Sequence, residues 1–195
     1  MSKKKRYPIR VPRFAAGIRA QEARAGGGRT WWGRRWLEVL ERMGLGARLG
    51  RGKSYAVSGQ IAEMRIAGPR VEASVVGTRE SPYSVAVDFR VPEDAARARI
   101  VARLRAEPML VARILTDDLS MEVEQMFRDE GYDLFPGGRL APGRYDVTMS
   151  CSCPDYANPC KHVAAVMLVL GEEVSRRPMT LLELRGLREE ELYED

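Results

Sequence analysis

The chain has 195 residues, with 32 Lys and Arg against 27 Asp and Glu, and 45% of its residues are hydrophobic. This apolar content is enough for a folded core and excludes a low-complexity polymer. The longest apolar stretch, residues 163–170, is far shorter than the roughly 20 residues of a membrane span, and no apolar run follows the basic start. Neither a membrane helix nor a secretory signal is therefore expected.

The charge is distributed unevenly along the chain. Residues 1–55 contain 15 Lys and Arg but three acidic residues, a net charge of +12, which leaves −7 for residues 56–195. A basic arm on a mildly acidic body favours a polyanionic partner, of which nucleic acid is the commonest. A solvated tail without a partner is the alternative.

The first 44 residues predict an arm followed by a helix. Residues 1–28 are rich in Lys, Arg and Gly and poor in large apolar side chains, which indicates a flexible arm. Residues 30–44 predict an amphipathic helix that Thr30 caps and Gly44 ends. Trp32 and Trp36 are four residues apart, so we expect both to pack against the core; stacking on nucleobases is the alternative.

The apolar period changes to two between residues 54 and 91. Three alternating runs, separated by Gly68-Pro69 and by the turn residues of 77–82, predict a three- or four-stranded antiparallel sheet with one solvated face. The basic segment before it, residues 48–53, contains two glycines and is predicted to be a loop, either a phosphate-binding one or a plain surface loop. It lacks the G-x-x-x-x-G-K-[ST] pattern, so ATP hydrolysis is not expected.

Helices are predicted next, in residues 92–107, 108–119 and 120–131, where apolar residues recur at helical spacing. A loop at residues 135–138 and a short strand over residues 144–150 follow. The acidic run of residues 189–191 is interpreted as a solvated helix end.

All three cysteines and the single histidine of the chain lie within twelve residues. Cys151, Cys153, Cys160 and His162 have the spacing C-x-C-x6-C-x-H, and three thiolates with one imidazole suit a closed, tetrahedral, structural Zn²⁺ site. Cys151 and Cys153 lie on the same side of an extended segment, and Cys160 and His162 open an apolar helix whose free N–H groups favour thiolate. Four ligands leave no position for a catalytic water, so we expect no enzymatic activity.

The number and spacing of the cysteines also indicate the cellular compartment. An odd number of closely spaced cysteines argues against a disulfide framework and for a reducing, cytoplasmic environment.

The segment CSCPDYANPCKHVAAVMLVL resembles the SWIM zinc finger, and WWGRRW, RGKSYAVSGQI, VGTRESPYSV, LFP and LRG are similar to motifs of small bacterial SWIM zinc finger proteins. The resemblance covers roughly residues 30–187. It implies a strand-strand-helix finger with the four residues above as ligands, which binds DNA or protein, and a Swi/Snf-type, helicase-like ATPase as an associate. The chain is expected to lack a long C-terminal extension that some members carry.

Together these interpretations predict an α+β protein with a small antiparallel sheet, helices and a C-terminal zinc finger. The predicted segments are a basic arm (1–28), an α+β domain (29–135), the SWIM-type finger (136–175) and a helical tail (176–195).

The predicted function is that of a zinc-stabilised accessory protein that binds nucleic acid, with DNA favoured over RNA, in the cytoplasm or on the nucleoid. The alternative is a module that docks onto a Swi/Snf-type ATPase or another nucleoprotein complex. Eight basic residues are predicted to contact phosphates: Arg29, Arg34, Arg35, Arg48, Arg51, Lys53, Arg79 and Lys161.

Overall fold

The computed structural model describes residues 12–13, 15–22, 29–137, 139–141 and 144–193. Most of the predicted basic arm, residues 1–11, 14 and 23–28, therefore lies outside the described residues.

Helices and strands occur in separate runs along the described chain, as is typical of an α+β fold. Two helices come first, α1 (Trp31–Arg42) and α2 (Ala47–Val57). Three strands follow: β1 (Ile61–Ala67), β2 (Arg70–Val75) and β3 (Tyr83–Phe89). The next three helices are α3 (Asp94–Arg105), α4 (Pro108–Leu115) and α5 (Met121–Asp129). The last part contains β4 (Arg139–Ala141), β5 (Arg144–Tyr145), β6 (Val147–Cys151), α6 (Lys161–Arg176), α7 (Met179–Leu184) and a 3₁₀ helix (Glu189–Leu192).

The main sheet has the strand order β1-β2-β3-β6 and is antiparallel throughout. Strand β6 pairs with β3 although three helices separate them in sequence, and its last residue, Cys151, lies opposite Val85. A shorter hairpin pairs β4 with β5. The predicted α+β class is confirmed.

The prediction of a glycine-containing loop at residues 48–53 is wrong. These residues lie inside helix α2, and the first strand begins only at Ile61. Tertiary packing explains the difference. A Cβ atom at Gly52 would come within 2.6 Å of the Ala164 Cβ on α6, so glycine lets the two helices approach closely. This contact outweighs the low intrinsic helix propensity of glycine.

Helix α6 is the centre of the core. Thirteen of its sixteen residues are buried, and it packs against the sheet on one side and against α1 and α2 on the other. Burial on both sides explains why its sequence is apolar all round rather than amphipathic. One buried cluster contains residues of both the predicted α+β domain and the predicted finger, and the boundaries between these segments stay predictions.

The tryptophans of α1 attach that helix to its neighbours. The indole Nε1 of the fully buried Trp36 donates to the Met167 carbonyl of α6 at 2.9 Å, and that of Trp32 donates to the Val174 carbonyl at 3.1 Å. The Thr30 hydroxyl accepts from the Gly33 N–H and caps the helix, as expected. The packing interpretation of Trp32 and Trp36 is confirmed, and these rings are not free to stack on nucleobases.

A buried ion pair joins three distant segments. The Arg185 side chain, 2% exposed, donates to the backbone carbonyls of Arg90, Leu134 and Phe135 and pairs with the Asp146 carboxylate. The other Asp146 oxygen accepts from the Gly137 N–H at 2.6 Å. These hydrogen bonds offset the cost of removing the two charged groups from water. The ion pair then connects Asp146, the residue before β6, to Arg185 at the end of α7.

No helix in the described part of the chain has both the length and the apolar character needed to cross a bilayer.

Two glycines of α2 offer a matched test of its packing. Gly52→Ala should lower the free energy of unfolding by about 1–3 kcal/mol, because the added methyl group meets Ala164 and the backbone of α6. Gly50→Ala, two residues earlier in the same helix, meets nothing within 4 Å and should stabilise by about 0.5–1 kcal/mol. Urea denaturation of both variants measures the difference. Equal effects of the two substitutions would contradict the close approach of α2 and α6.

Candidate metal centre

The four predicted ligands come together at one point. The donor atoms of Cys151, Cys153, Cys160 and His162 all lie within 4.8 Å of one another. The Nδ1 atom of His162 is 3.7 Å from the Cys151 Sγ and 3.8 Å from the Cys160 Sγ. Ligand atoms around a tetrahedral Zn²⁺ ion are separated by about 3.5–3.8 Å, so the cluster fits this ion with small adjustments.

The first two ligands are positioned by the edge of the sheet. Cys151 ends β6, and the next residue, Ser152, continues the pairing with β3: its N–H donates to the Ser84 carbonyl and its hydroxyl accepts from the Ser84 N–H, both at 3.0 Å. This extended backbone alternates its side chains. Cys151 and Cys153 therefore point to the same side, as their spacing predicts.

The connection between Cys153 and Cys160 is held by its own polar side chains. The Asp155 carboxylate accepts from the Ala157 N–H at 3.1 Å, which closes a turn. The Asn158 side-chain amide donates to the Met149 carbonyl at 2.5 Å and ties the loop back to β6. The loop thus has a defined path between two ligands.

Cys160 and His162 come from the start of the central helix, where Cys160 is the N-cap residue of α6. Hydrogen bonds from the Cys151 thiol, from His162 and from the Val163 N–H lower the pKa of Cys160 to about 3, although burial opposes the shift. The pKa of Cys151 is raised, because its thiol donates to Cys160 and is desolvated. These hydrogen bonds, of which the one from the Cys151 thiol is the largest contribution and the one from the helix N-terminus a smaller one, favour the thiolate form of Cys160, the form that binds metal.

The imidazole of His162 lies between two tyrosine rings. Tyr83 stacks on it with ring centroids 4.5 Å apart, and Tyr55 meets it edge-on at 5.1 Å. Its Nδ1 faces the thiols, whereas its buried Nε2 has no hydrogen-bond partner among the described residues. A Cβ atom at Gly77 would lie 3.6 Å from this Nε2 and would meet the Tyr83 ring at 2.4 Å, so glycine is required for the close packing here. Aromatic packing fixes the orientation of the ligand.

Sequence reasoning missed this aromatic enclosure. Tyr55 and Tyr83 belong to the segments RGKSYAVSGQI and VGTRESPYSV, which were noted for their resemblance but not connected with the metal. The only available signal was that both segments resemble motifs of the same SWIM proteins as the finger does. This shared resemblance is expected of residues that pack around one site.

The eight predicted phosphate contacts occupy two regions. Arg29, Arg34 and Arg35 lie at the start of α1, with Arg34 exposed and Arg35 half-buried. The other five are carried by elements that adjoin the metal centre: Arg48, Arg51, Lys53, Arg79 and Lys161. Within this group, the Lys161 Nζ is 5.8 Å from the Tyr55 ring centroid and the Arg79 Cζ is 5.7 Å from that of Tyr83. Their role in nucleic-acid binding stays a prediction.

Metal content provides a direct test of the centre. The purified chain should contain one zinc ion, and Cys160→Ser should lose it together with much of the folding free energy, because structural zinc contributes on the order of 10 kcal/mol. Elemental analysis and thermal unfolding with and without a chelator measure both effects. Asp155→Asn is the matched control, since it removes a nearby carboxylate but keeps the oxygen that accepts from Ala157. Loss of zinc from this control, or its retention in Cys160→Ser, would contradict the ligand set.

The comparisons with known proteins agree with this geometry. Residues 146–171 match the family model of the SWIM zinc finger. Over 185 residues the chain is 35% identical to the uncharacterized protein Rv2102 of Mycobacterium tuberculosis; the alignment covers 95% of this chain, which spans 65% of the length of that relative. No solved structure matches the chain. The matched residues contain all four clustered donors, so the predicted resemblance is confirmed: residues 146–171 form a SWIM zinc finger, and its cluster of Cys151, Cys153, Cys160 and His162 fits zinc binding.

Proposed function

We propose that the protein is a zinc-stabilised nucleic-acid-binding accessory protein, with DNA favoured over RNA, that works with a helicase-like ATPase in the cytoplasm or on the nucleoid. One observation carries the proposal. Of the eight predicted phosphate contacts, Arg35 alone forms an ion pair with a carboxylate in the described part of the chain, with Glu38 and Glu124. The other seven form no ion pair with a described carboxylate, so an external anion would not have to displace one.

Many arginines elsewhere in the described chain are already paired. Arginines of α3, α4 and the C-terminal helices form ion pairs with nearby carboxylates, for example Arg103 with Asp129 and Arg113 with Asp118. These helices therefore neutralise most of their own cations. Because an unpaired guanidinium can replace the counterions of a phosphate without first breaking an internal ion pair, the region around the zinc centre is the better polyanion site.

Zinc has a scaffolding role in this proposal. Three thiolates and one imidazole around Zn²⁺ carry a formal charge of −1, which Lys161, next to the Cys160 ligand, offsets. The ion holds β6, the loop of residues 152–159 and α6 together. Lys161 is the first residue of α6, and α2, which carries Arg48, Arg51 and Lys53, packs against the same helix. With four protein ligands the metal has no open coordination position, which supports a non-catalytic role.

The alternative function, docking onto a Swi/Snf-type ATPase or another nucleoprotein complex, has one observation in its favour. Met109 of α4 and Met121 of α5 are 75% and 67% exposed, and such side chains suit a protein interface. Met109→Glu with Met121→Glu should weaken a complex with such a partner while leaving nucleic-acid affinity within about twofold.

The proposed function predicts binding that weakens steeply with salt. Fluorescence anisotropy with a labelled DNA oligonucleotide, between 50 and 300 mM salt, measures affinity and its salt dependence. The variant Arg51→Ala, Lys53→Ala, Arg79→Ala should bind about tenfold or more weakly. The slope of log affinity against log salt should also fall in magnitude, by about 0.9 for each duplex phosphate contact that is lost.

A control variant that removes the same number of positive charges distinguishes the loss of phosphate contacts from the decrease in net charge. Arg99→Ala, Arg103→Ala, Arg113→Ala removes three arginines that are ion-paired in the structure, and we expect an affinity within about threefold of the original. Both variants should keep one zinc ion per chain. Equal losses in the two variants, or affinity that is insensitive to salt, would sink the proposal.

A further inference from the structure

Tyr156 is the most exposed large apolar side chain of the described residues. It is 97% exposed, compared with 75% for Met109 and 58% for Tyr193. Its hydroxyl makes no hydrogen bond and its ring no aromatic contact with the rest of the described chain. The ring therefore contributes little to folding, because it buries almost no apolar surface.

The backbone that carries Tyr156 is nevertheless held in place. The residue lies in the loop between the ligands Cys153 and Cys160, its neighbours Asp155 and Ala157 are joined by a hydrogen bond, and Asn158 ties the loop to β6. A ring on such a loop is preorganised. Little further backbone entropy is lost when a ligand binds, which is the condition for an efficient contact residue.

Unpaired cations adjoin the same zinc ion. Tyr156 is the third residue after Cys153, so their Cα atoms are at most roughly 11 Å apart even in a fully extended chain. Lys161 and Arg79 lie near the two tyrosine rings that pack on His162, another member of the same cluster. Exposed aromatic rings combined with cations are the features by which proteins bind single-stranded nucleic acids, with bases stacked on the rings and phosphates on the cations.

We propose that Tyr156 stacks on an unpaired nucleobase and that the finger binds single-stranded nucleic acid, whose phosphates contact Lys161 and Arg79. This inference rests on the proposed function and makes its ligand specific. The bases of a duplex are already stacked on one another, so a ring on a surface loop gains a face to stack on only where a strand is unpaired.

The test uses two single-stranded DNA oligonucleotides of equal length. One carries 2-aminopurine among ordinary bases, and the other has abasic sites that keep the phosphates but lack the bases. Tyr156→Ala should bind the base-containing strand about 5- to 150-fold more weakly and lose the quenching of 2-aminopurine fluorescence. Its affinity for the abasic strand and its salt dependence should be unchanged. Tyr156→Phe and Tyr156→Trp should keep both affinity and quenching, and the control Tyr193→Ala should bind normally.

The outcomes separate this inference from the proposed function. If the original chain binds both strands with steep salt dependence and Tyr156→Ala binds them equally well, stacking is overturned and phosphate binding stands. If the original chain binds neither strand but binds a duplex of the same sequence, the inference is overturned and the proposed function stands; if it binds no nucleic acid at all, the proposed function itself fails. If Tyr156→Ala weakens a complex with a protein but not with either strand, the ring is a protein contact and the inference is wrong.

Discussion

The burial of helix α6 is the constraint on which the rest of the structure depends. It lies between the sheet and the pair α1–α2, and its N-terminus carries two of the four clustered donors that fit zinc, Cys160 as the N-cap residue and His162 in the first turn. The metal therefore fixes one end of the helix that organises the core. Structural zinc contributes on the order of 10 kcal/mol, which is comparable with the net stability of a whole domain. Residues of the finger and of the rest of the chain share one buried cluster, although the finger motif occupies only residues 146–171.

A feature of the fold or of the site could be predicted from the sequence when the residues that determine it lie close together along the chain. The clustering of Cys151, Cys153, Cys160 and His162 could be predicted because their spacing is local and their chemistry is specific. The helix that Thr30 caps and the alternating strands were also local patterns. The helical state of residues 48–53 was not, because it depends on the contact of Gly52 with α6.

Contacts between distant parts of the sequence could not be predicted from the spacing of apolar residues, for the same reason. Nothing local indicates that β6 pairs with β3 across three helices, or that Tyr55 and Tyr83 enclose His162. The role of Arg185 was equally hidden. An arginine near a helix end is normally exposed, and only the folded chain brings Asp146 and the carbonyls of Arg90, Leu134 and Phe135 to it.

The attachment of the α1 tryptophans to α6 has a consequence for the order of events during translation. Trp32 and Trp36 are made early, yet their indole acceptors, the carbonyls of Val174 and Met167, are made more than 130 residues later. Until that stretch emerges from the ribosome, the nascent chain lacks the acceptors of both indole N–H groups and the helix that buries these rings, which favours aggregation or chaperone binding. Completion of the core therefore waits for synthesis of the same helix whose first turn receives the metal.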